Sequence, residues 1–211
     1  MRAIIVGTSS TLLEKPNGKI IDNFDYVARS ISAAEFPGYE DFLGTKTDLY
    51  WSKYQYLFRL KYLQQPFNKD ILLLNDDADN YYETCTLTSY IDHYNRLFYD
   101  GWRDIISKKH VFSKVYFYSK TQLDRLHKKM MYRNNYDAKN IPAVYSSAGA
   151  RVIDFFVQSK QFTEVYVTGF SFFDKATYFC PQVNHNIREH CYYKEKYFYT
   201  SLLKNNKIKE L

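Results

Sequence analysis

Cysteine is scarce: Cys85, Cys180 and Cys191 are an odd set of three, with no CxxC or zinc-type spacing. That argues against a disulfide framework and a structural zinc site, and for a reducing compartment. No stretch approaches the roughly 20 apolar residues that span a bilayer. The chain opens directly on a strand-like segment, without a basic region followed by an apolar one, so no secretory signal peptide is expected and the expected location is cytoplasmic. Internal repeats and low-complexity tracts are absent. Ser9, Ser146 and Ser147 do not lie in a Gly-x-Ser-x-Gly turn, which argues against a hydrolase built on a nucleophile elbow.

What the chain does have is positive charge and aromatic rings. Lys and Arg number 29 against 23 Asp and Glu, a net +6 over 211 residues. This balance suits an acidic substrate, nucleic acid or peripheral attachment to an anionic membrane, and equally a plain solvated surface. The basic residues form no stripe, so nucleic acid is not the expected partner. The 22 Tyr and 16 Phe offer rings that stack on sugars or bases. Lys, Asn and Ile are abundant alongside them, a bias that an AT-rich genome produces by itself. The length fits one domain with a real core.

Organisation starts at Arg2-Ala3-Ile4-Ile5-Val6-Gly7-Thr8-Ser9, an apolar run entering a Gly turn, which reads as a buried parallel strand. In an open α/β sheet such a turn lines the ligand cleft, where its N–H groups and hydroxyls suit a phosphate. The same pattern also arises for packing alone. Strands are expected at 24–29, 47–51, 70–74, 114–118 and 164–169, with helices at 54–64, 87–99, 121–131 and 147–160. A final helix is expected from Asn186 or His190 to Asn205, and 36–44 reads as a loop with Gly hinges at Gly38 and Gly44. The alternation predicts an α/β, Rossmann-like, mainly parallel doubly wound sheet, with residues 75–110 as a lid or acceptor-side insertion in a single domain, 1–211. Asp77 and Asp79 follow the fourth strand. They form either a turn or the carboxylate pair of a metal-dependent sugar-nucleotide transferase.

Three stretches, in order, resemble the sialyltransferases of glycosyltransferase family 29, and more distantly the bacterial family 42 enzymes. Ile4-Ile5-Val6-Gly7-Thr8-Ser9, Asp22-Asn23-Phe24-Asp25-Tyr26-Val27-Ala28-Arg29 and Gly38 to Thr47 together are similar to the long sialyl motif. Ser146-Ser147-Ala148-Gly149 with Val165-Tyr166-Val167-Thr168-Gly169-Phe170 resembles the short motif. His190-Cys191-Tyr192-Tyr193-Lys194-Glu195 resembles the very short motif, His-x4-Glu. The resemblance implies a variant GT-A fold and an inverting, metal-independent transfer of sialic acid, or a related nonulosonic acid, from a CMP-activated donor to a glycan hydroxyl. It implies His190 as general base, Glu195 steadying it or holding a helix start, and Tyr178 as a donor to the leaving phosphate. Gly7, Thr8, Ser9, Arg29, Ser146, Ser147, Gly149, Gly169 and Phe170 would bind the donor, with no metal and no other cofactor.

The departures from the pattern fall on the donor. Thr8 and Ile31 stand where the family usually has Asn, and Phe173 stands where the bacterial enzymes tend to have Tyr. The cysteines that tie the motifs of secretory-pathway members are also missing. Asn186-Ile187-Arg188-Glu189 looks like a capping box, which makes His185 the alternative base. His93, His110 and His127 read as surface residues. A metal-dependent UDP- or GDP-sugar transferase and a non-catalytic sugar-nucleotide or glycan-binding module remain as alternatives.

Overall fold

Along β1, Arg2–Val6, side chains alternate between the two sheet faces, and Ala3, Ile4, Ile5 and Val6 are all buried. A strand apolar on both sides needs cover on both sides, the condition of a parallel sheet wrapped by helices. The computed structural model, which describes residues 1–31, 38–52, 69–74, 114–130, 146–172 and 192–211, has that form. β1 is joined by β2 (Tyr26–Ser30), β3 (Leu49–Ser52), β4 (Asp70–Leu74), β5 (Val115–Tyr118), β6 (Glu164–Thr168) and β7 (Lys209–Glu210). The order is β5-β4-β3-β2-β1-β6-β7, with every pairing parallel.

On one face a short 3-10 turn, Ser10–Glu14, and the helices α1 (Gly18–Asp22) and α2 (Glu40–Leu43) pack Leu12, Ile21 and Leu43 on Ile4, Val6 and Val27. On the other face α3 (Lys120–Lys129), α4 (Ala148–Gln158) and α5 (Tyr192–Lys204) pack Leu126, Phe156 and Phe198 on Ala3, Ile5 and Val167. The doubly wound α/β sheet expected from the alternation is therefore present. One expectation needs correction. The 36–44 segment contains a helical turn, Glu40–Leu43, although Gly38 and Gly44 do bend the chain at φ +99° and +73°. Of the last helix, expected from Asn186 or His190 to Asn205, the described part is Tyr192–Lys204, and the expected starts lie outside the described residues. The helices expected at 54–64 and 87–99, and the whole 75–110 insertion, lie outside the described residues.

The first motif stretch builds a clamp between α1, β2 and the segment entering β3. Asp22 accepts the N–H groups of Thr45 and Lys46 at 2.9 Å and the Thr45 hydroxyl at 3.1 Å. Gly44 is required there, since a Cβ would lie 2.2 Å from Asp22 Oδ1. Arg29 is buried across the clamp. Its Nε donates to the Lys46 carbonyl at 2.9 Å, its Nη2 donates to the Leu43 carbonyl, and Asp22 lies 3.7 Å away.

A second polar knot lies under α4. Asp154 is fully buried; its Oδ2 accepts from the Tyr118 hydroxyl and from Arg125, both at 2.9 Å, and its Oδ1 from Lys129 at 3.1 Å. Burial first, and the adjoining carboxylate second, push the Tyr118 phenol well above its usual range, so it stays a donor. Arg125 and Lys129 are both more than a third exposed, so the ion pairs themselves are screened. The larger loss on truncation is the carboxylate acceptor of the Tyr118 hydroxyl, which keeps the Gln122 carbonyl at 3.3 Å. Asp154→Ala is expected to lower unfolding stability by about 2–4 kcal/mol, and Tyr118→Phe by about 1 kcal/mol, in urea titrations.

Candidate active site where the sheet changes direction

From β1 the chain winds outward through β2 to β5, then returns to place β6 on the other side of β1. The crevice above the carboxyl ends of β1 and β6 is the topological switch point, where open α/β sheets bind ligands. The turns after these two strands touch. Gly7 N–H donates to the Thr168 carbonyl at 2.8 Å, and Ser9 N–H to the Gly169 carbonyl at 3.0 Å. A Cβ on Gly7 would stand 2.2 Å from the Gly169 oxygen, so no other residue fits at this approach. Gly169 has φ +73°, and Leu12 occupies the place of its missing side chain.

Phe170 links the third segment. Its ring is 3.2 Å from where a Gly7 Cβ would be, and 3.0 Å from where a Gly149 Cβ would be. The two glycine bends, far apart in sequence, thus pack on one ring. Next to Gly149, Ser147 is the N-cap of α4, its Oγ accepting the Ala150 N–H at 3.2 Å. Glu195, buried in α5, grips the same residue with both oxygens: Oε1 accepts the Ser147 N–H and Oε2 the Ser147 hydroxyl, each at 2.6 Å. A carboxylate is electrostatically favoured at this end of a helix. Glu195 thus holds the start of α4, a helix other than its own.

Ser146 is fully buried. Its Oγ accepts from Arg151 Nε at 2.9 Å and lies 3.2 Å from His127 Nε2, while its N–H donates to that nitrogen at 3.4 Å. His127, expected on the surface, is half-buried and packed against the site. Arg151, Asp154 and His127 were not among the expected site residues. The available signal was Arg151 and Asp154, charged residues inside the apolar helix Ala148–Gln158, a placement that calls for buried partners.

Among the expected donor residues, Gly7, Ser9, Ser146, Ser147, Gly149, Gly169 and Phe170 share this neighbourhood, with Thr8 half-buried between Gly7 and Ser9. Ser9 is buried and closes its own turn, its Oγ accepting from the Thr11 N–H and the Thr11 hydroxyl. Arg29, also expected to bind the donor, lies in the Asp22 clamp with its guanidinium on the Lys46 and Leu43 carbonyls. Ile31, at one of the usual Asn places, is buried in the core. Tyr178, His185 and His190, with Phe173, Asp77 and Asp79, lie outside the described residues. Among the described residues no group of three His, Cys, Asp or Glu could hold a metal ion, and no helix is long and apolar enough to cross a membrane.

The family model of glycosyltransferase family 29 (sialyltransferase) matches residues 1–207. The chain belongs to this family. It is accordingly a glycosyltransferase. A comparison with curated proteins found no match. Among solved structures, a mammalian sialyltransferase in complex with Gal-beta-1-3GalNAc-ortho-nitrophenol aligns with a TM-score of 0.64 and 20% identity, covering 100% of this chain and 68% of that one. The sialyltransferase CstII from Campylobacter jejuni, in complex with cytidine-5'-monophosphate, aligns with a TM-score of 0.53 and 14% identity, covering 99% and 78%. At these identities the likeness is one of fold. Both are sialyltransferases, and the described parts of the three stretches that resemble sialyl motifs are segments that converge or clamp in this chain.

Two substitutions test the convergence. Gly7→Ala is expected to cost at least about 3 kcal/mol because backbone must move, whereas Gly149→Ala, which asks only a ring to shift, is expected to cost about 1 kcal/mol or less. Glu195→Ala is expected to cost about 2–3 kcal/mol and Glu195→Gln about half of that, since the amide keeps one acceptor for Ser147. Chemical denaturation of each variant measures both.

Proposed function

We propose that this protein transfers sialic acid, or a related nonulosonic acid, from a CMP-activated donor to a sugar hydroxyl of a glycan, with inversion and without a metal, on a variant GT-A fold. Residues 1–211 form one glycosyltransferase domain in which 75–110 is the lid or acceptor-side insertion. The observation that carries the reading is the meeting of the Gly7 and Gly149 bends on Phe170 at the switch point. Together with family membership, it supports a cleft for a nucleotide monophosphate. Glu195 occupies the Ser147 N–H, and Ser147 Oγ occupies that of Ala150. The N–H groups of Ala148 and Gly149, which helix geometry leaves without intrahelical partners, then meet the donor's anionic groups.

His190 precedes the first described residue of α5 by two positions, so its backbone is tethered to the helix that carries Glu195. In the proposed step the acceptor oxygen attacks the anomeric carbon while His190 takes its proton, and the anomeric C–O bond to the phosphate breaks with its electron pair leaving on CMP. Tyr178 donates a hydrogen bond to that phosphate.

Incubation with CMP-sialic acid, a galactose-terminated acceptor and EDTA is expected to release CMP and form sialylated acceptor. His190→Ala is expected to lower kcat by about 10²–10⁴-fold. Turnover that requires a divalent metal and a UDP- or GDP-sugar would replace this reading with one through Asp77 and Asp79. Loss of activity in His185→Ala with retention in His190→Ala would reassign the base.

A further inference from the structure

We propose that the outward face of α5 docks on an anionic lipid bilayer, with Tyr193 and Tyr197 seated among the head groups and Lys204 and Lys207 drawn to the lipid phosphates. The surface is separate from the cleft, and the inference is independent of which sugar the cleft transfers.

Helical spacing defines the face. Positions 193, 196, 197, 200 and 204 succeed one another at intervals of three and four, or one, so that Tyr193, Lys196, Tyr197, Thr200 and Lys204 fall on one side of the helix. All five are exposed. Tyr193 and Tyr197 are 61% and 63% exposed, more than any other exposed large hydrophobic residue among those described. Glu195, Phe198 and Tyr199 project from the other side and are buried. The helix is therefore amphipathic, yet its outward side carries two aromatic rings a turn apart. A ring tipped with a hydroxyl suits the boundary between head groups and water, where one end is apolar and the other wet.

Charge selects the lipid. From Tyr192 to Leu211 the chain has Lys194, Lys196, Lys204, Lys207 and Lys209 against Glu195 and Glu210. Glu195, the single acidic residue of α5, is turned inward onto Ser147, and Glu210 accepts from the Tyr199 hydroxyl. Lys209 is paired with Glu164. The outward face thus has no acidic residue, and Lys204 at its end is followed by Lys207, also exposed. A helix that docks in a protein groove offers aliphatic anchors at such positions, whereas 200 and 204 here are Thr and Lys. Aromatic and basic residues together, on a chain of net +6, complement an anionic bilayer. Glu195 leaves the opposite side of α5, so a bilayer on this face would lie about one helix diameter, 10–12 Å, from the side of α5 that meets the start of α4.

The test is flotation of the full chain with vesicles of phosphatidylcholine, alone and with phosphatidylglycerol added, at low and high salt, with thermal unfolding of each variant alongside. The parent is expected to float with the anionic vesicles, to float far less with neutral ones, and to be released by salt. Lys204→Gln with Lys207→Gln is expected to weaken binding to anionic vesicles by about ten- to thirtyfold, and Tyr193→Ser with Tyr197→Ser by about three- to tenfold. The substituted side chains are exposed, so unfolding temperatures are expected to match the parent. Tyr197→Trp reads the face directly: over the background of Trp51 and Trp102 in the parent, its emission is expected to move to the blue on adding anionic vesicles and to be quenched by brominated lipid. Failure of the parent to float with anionic vesicles overturns the inference, as does binding that neither pair of substitutions weakens, or Tyr197→Trp emission that responds no more than the parent's. A concentration-dependent mass in sedimentation velocity that the tyrosine pair removes, without vesicle binding, assigns the face to a second copy of the chain and overturns it too. Should the tyrosine pair lower the unfolding temperature, the lysine pair and Tyr197→Trp decide. Each measurement is made without donor or acceptor, so failure here is distinguishable from failure of the transfer reaction.

Discussion

The site depends on one backbone contact, the approach of Gly7 to the Gly169 carbonyl, closer than any side chain at position 7 would permit. This contact fixes how near the β1 and β6 turns lie, and hence where Phe170 projects. Phe170 in turn sets the position of Gly149 and the start of α4. The geometry is transmitted through main chain and one aromatic ring, groups with little rotamer freedom, and not through long charged side chains whose ordering would cost entropy. A cleft built this way is pre-organised before any ligand arrives.

The three motif stretches divide their labour. Much of the first is architectural: Asp22, Arg29, Gly44, Thr45 and Lys46 tie α1 to the strand entries, away from the switch point. Only its opening, Gly7-Thr8-Ser9, reaches the cleft. The second and third stretches meet there directly, through the two hydrogen bonds between Ser147 and Glu195. A motif residue such as Arg29 is exacting in its surroundings for structural reasons alone, because a buried guanidinium must satisfy its N–H groups on whatever carbonyls the fold supplies.

How much of this was legible in the sequence follows from the length and regularity of each signal. The strands at Arg2–Val6, Asp70–Leu74, Val115–Tyr118 and Glu164–Thr168 announce themselves as apolar or alternating runs, and Ser147 as a helix cap. The turn Ser10–Glu14, α1 and α2 run to at most five residues, too short for a helical period to show, and β7 has two. The turns at Gly7 and Gly169 were legible because glycine follows an apolar strand at both, a pattern that packing alone also produces. His127 was not: its helix is rich in charge, and only the arrival of Ser146 from 19 positions away turns a polar surface residue into an acceptor. Arg151 and Asp154 mark the same hidden packing from the other side.

A carboxylate at the α4 N-terminus sets a constraint on any anionic ligand. Glu195 neutralises part of the positive helix end, and by itself would repel a phosphate in the same crevice. The buried Arg151 behind Ser146 supplies the opposite sign, while Arg125, Lys129 and Tyr118 hold Asp154. The positive charge of Arg151 stands against the negative charge of Glu195. The N–H dipoles at Ala148 and Gly149 and the turn at Gly7 add their own attraction for an anion. Neutral, fixed donors of this kind suit a leaving monophosphate, whose charge grows as the bond breaks, because they gain strength with that charge and need no reorganisation to meet it. This opposition of charge gives the fully buried Arg151 a place beside a helix start that already carries a carboxylate.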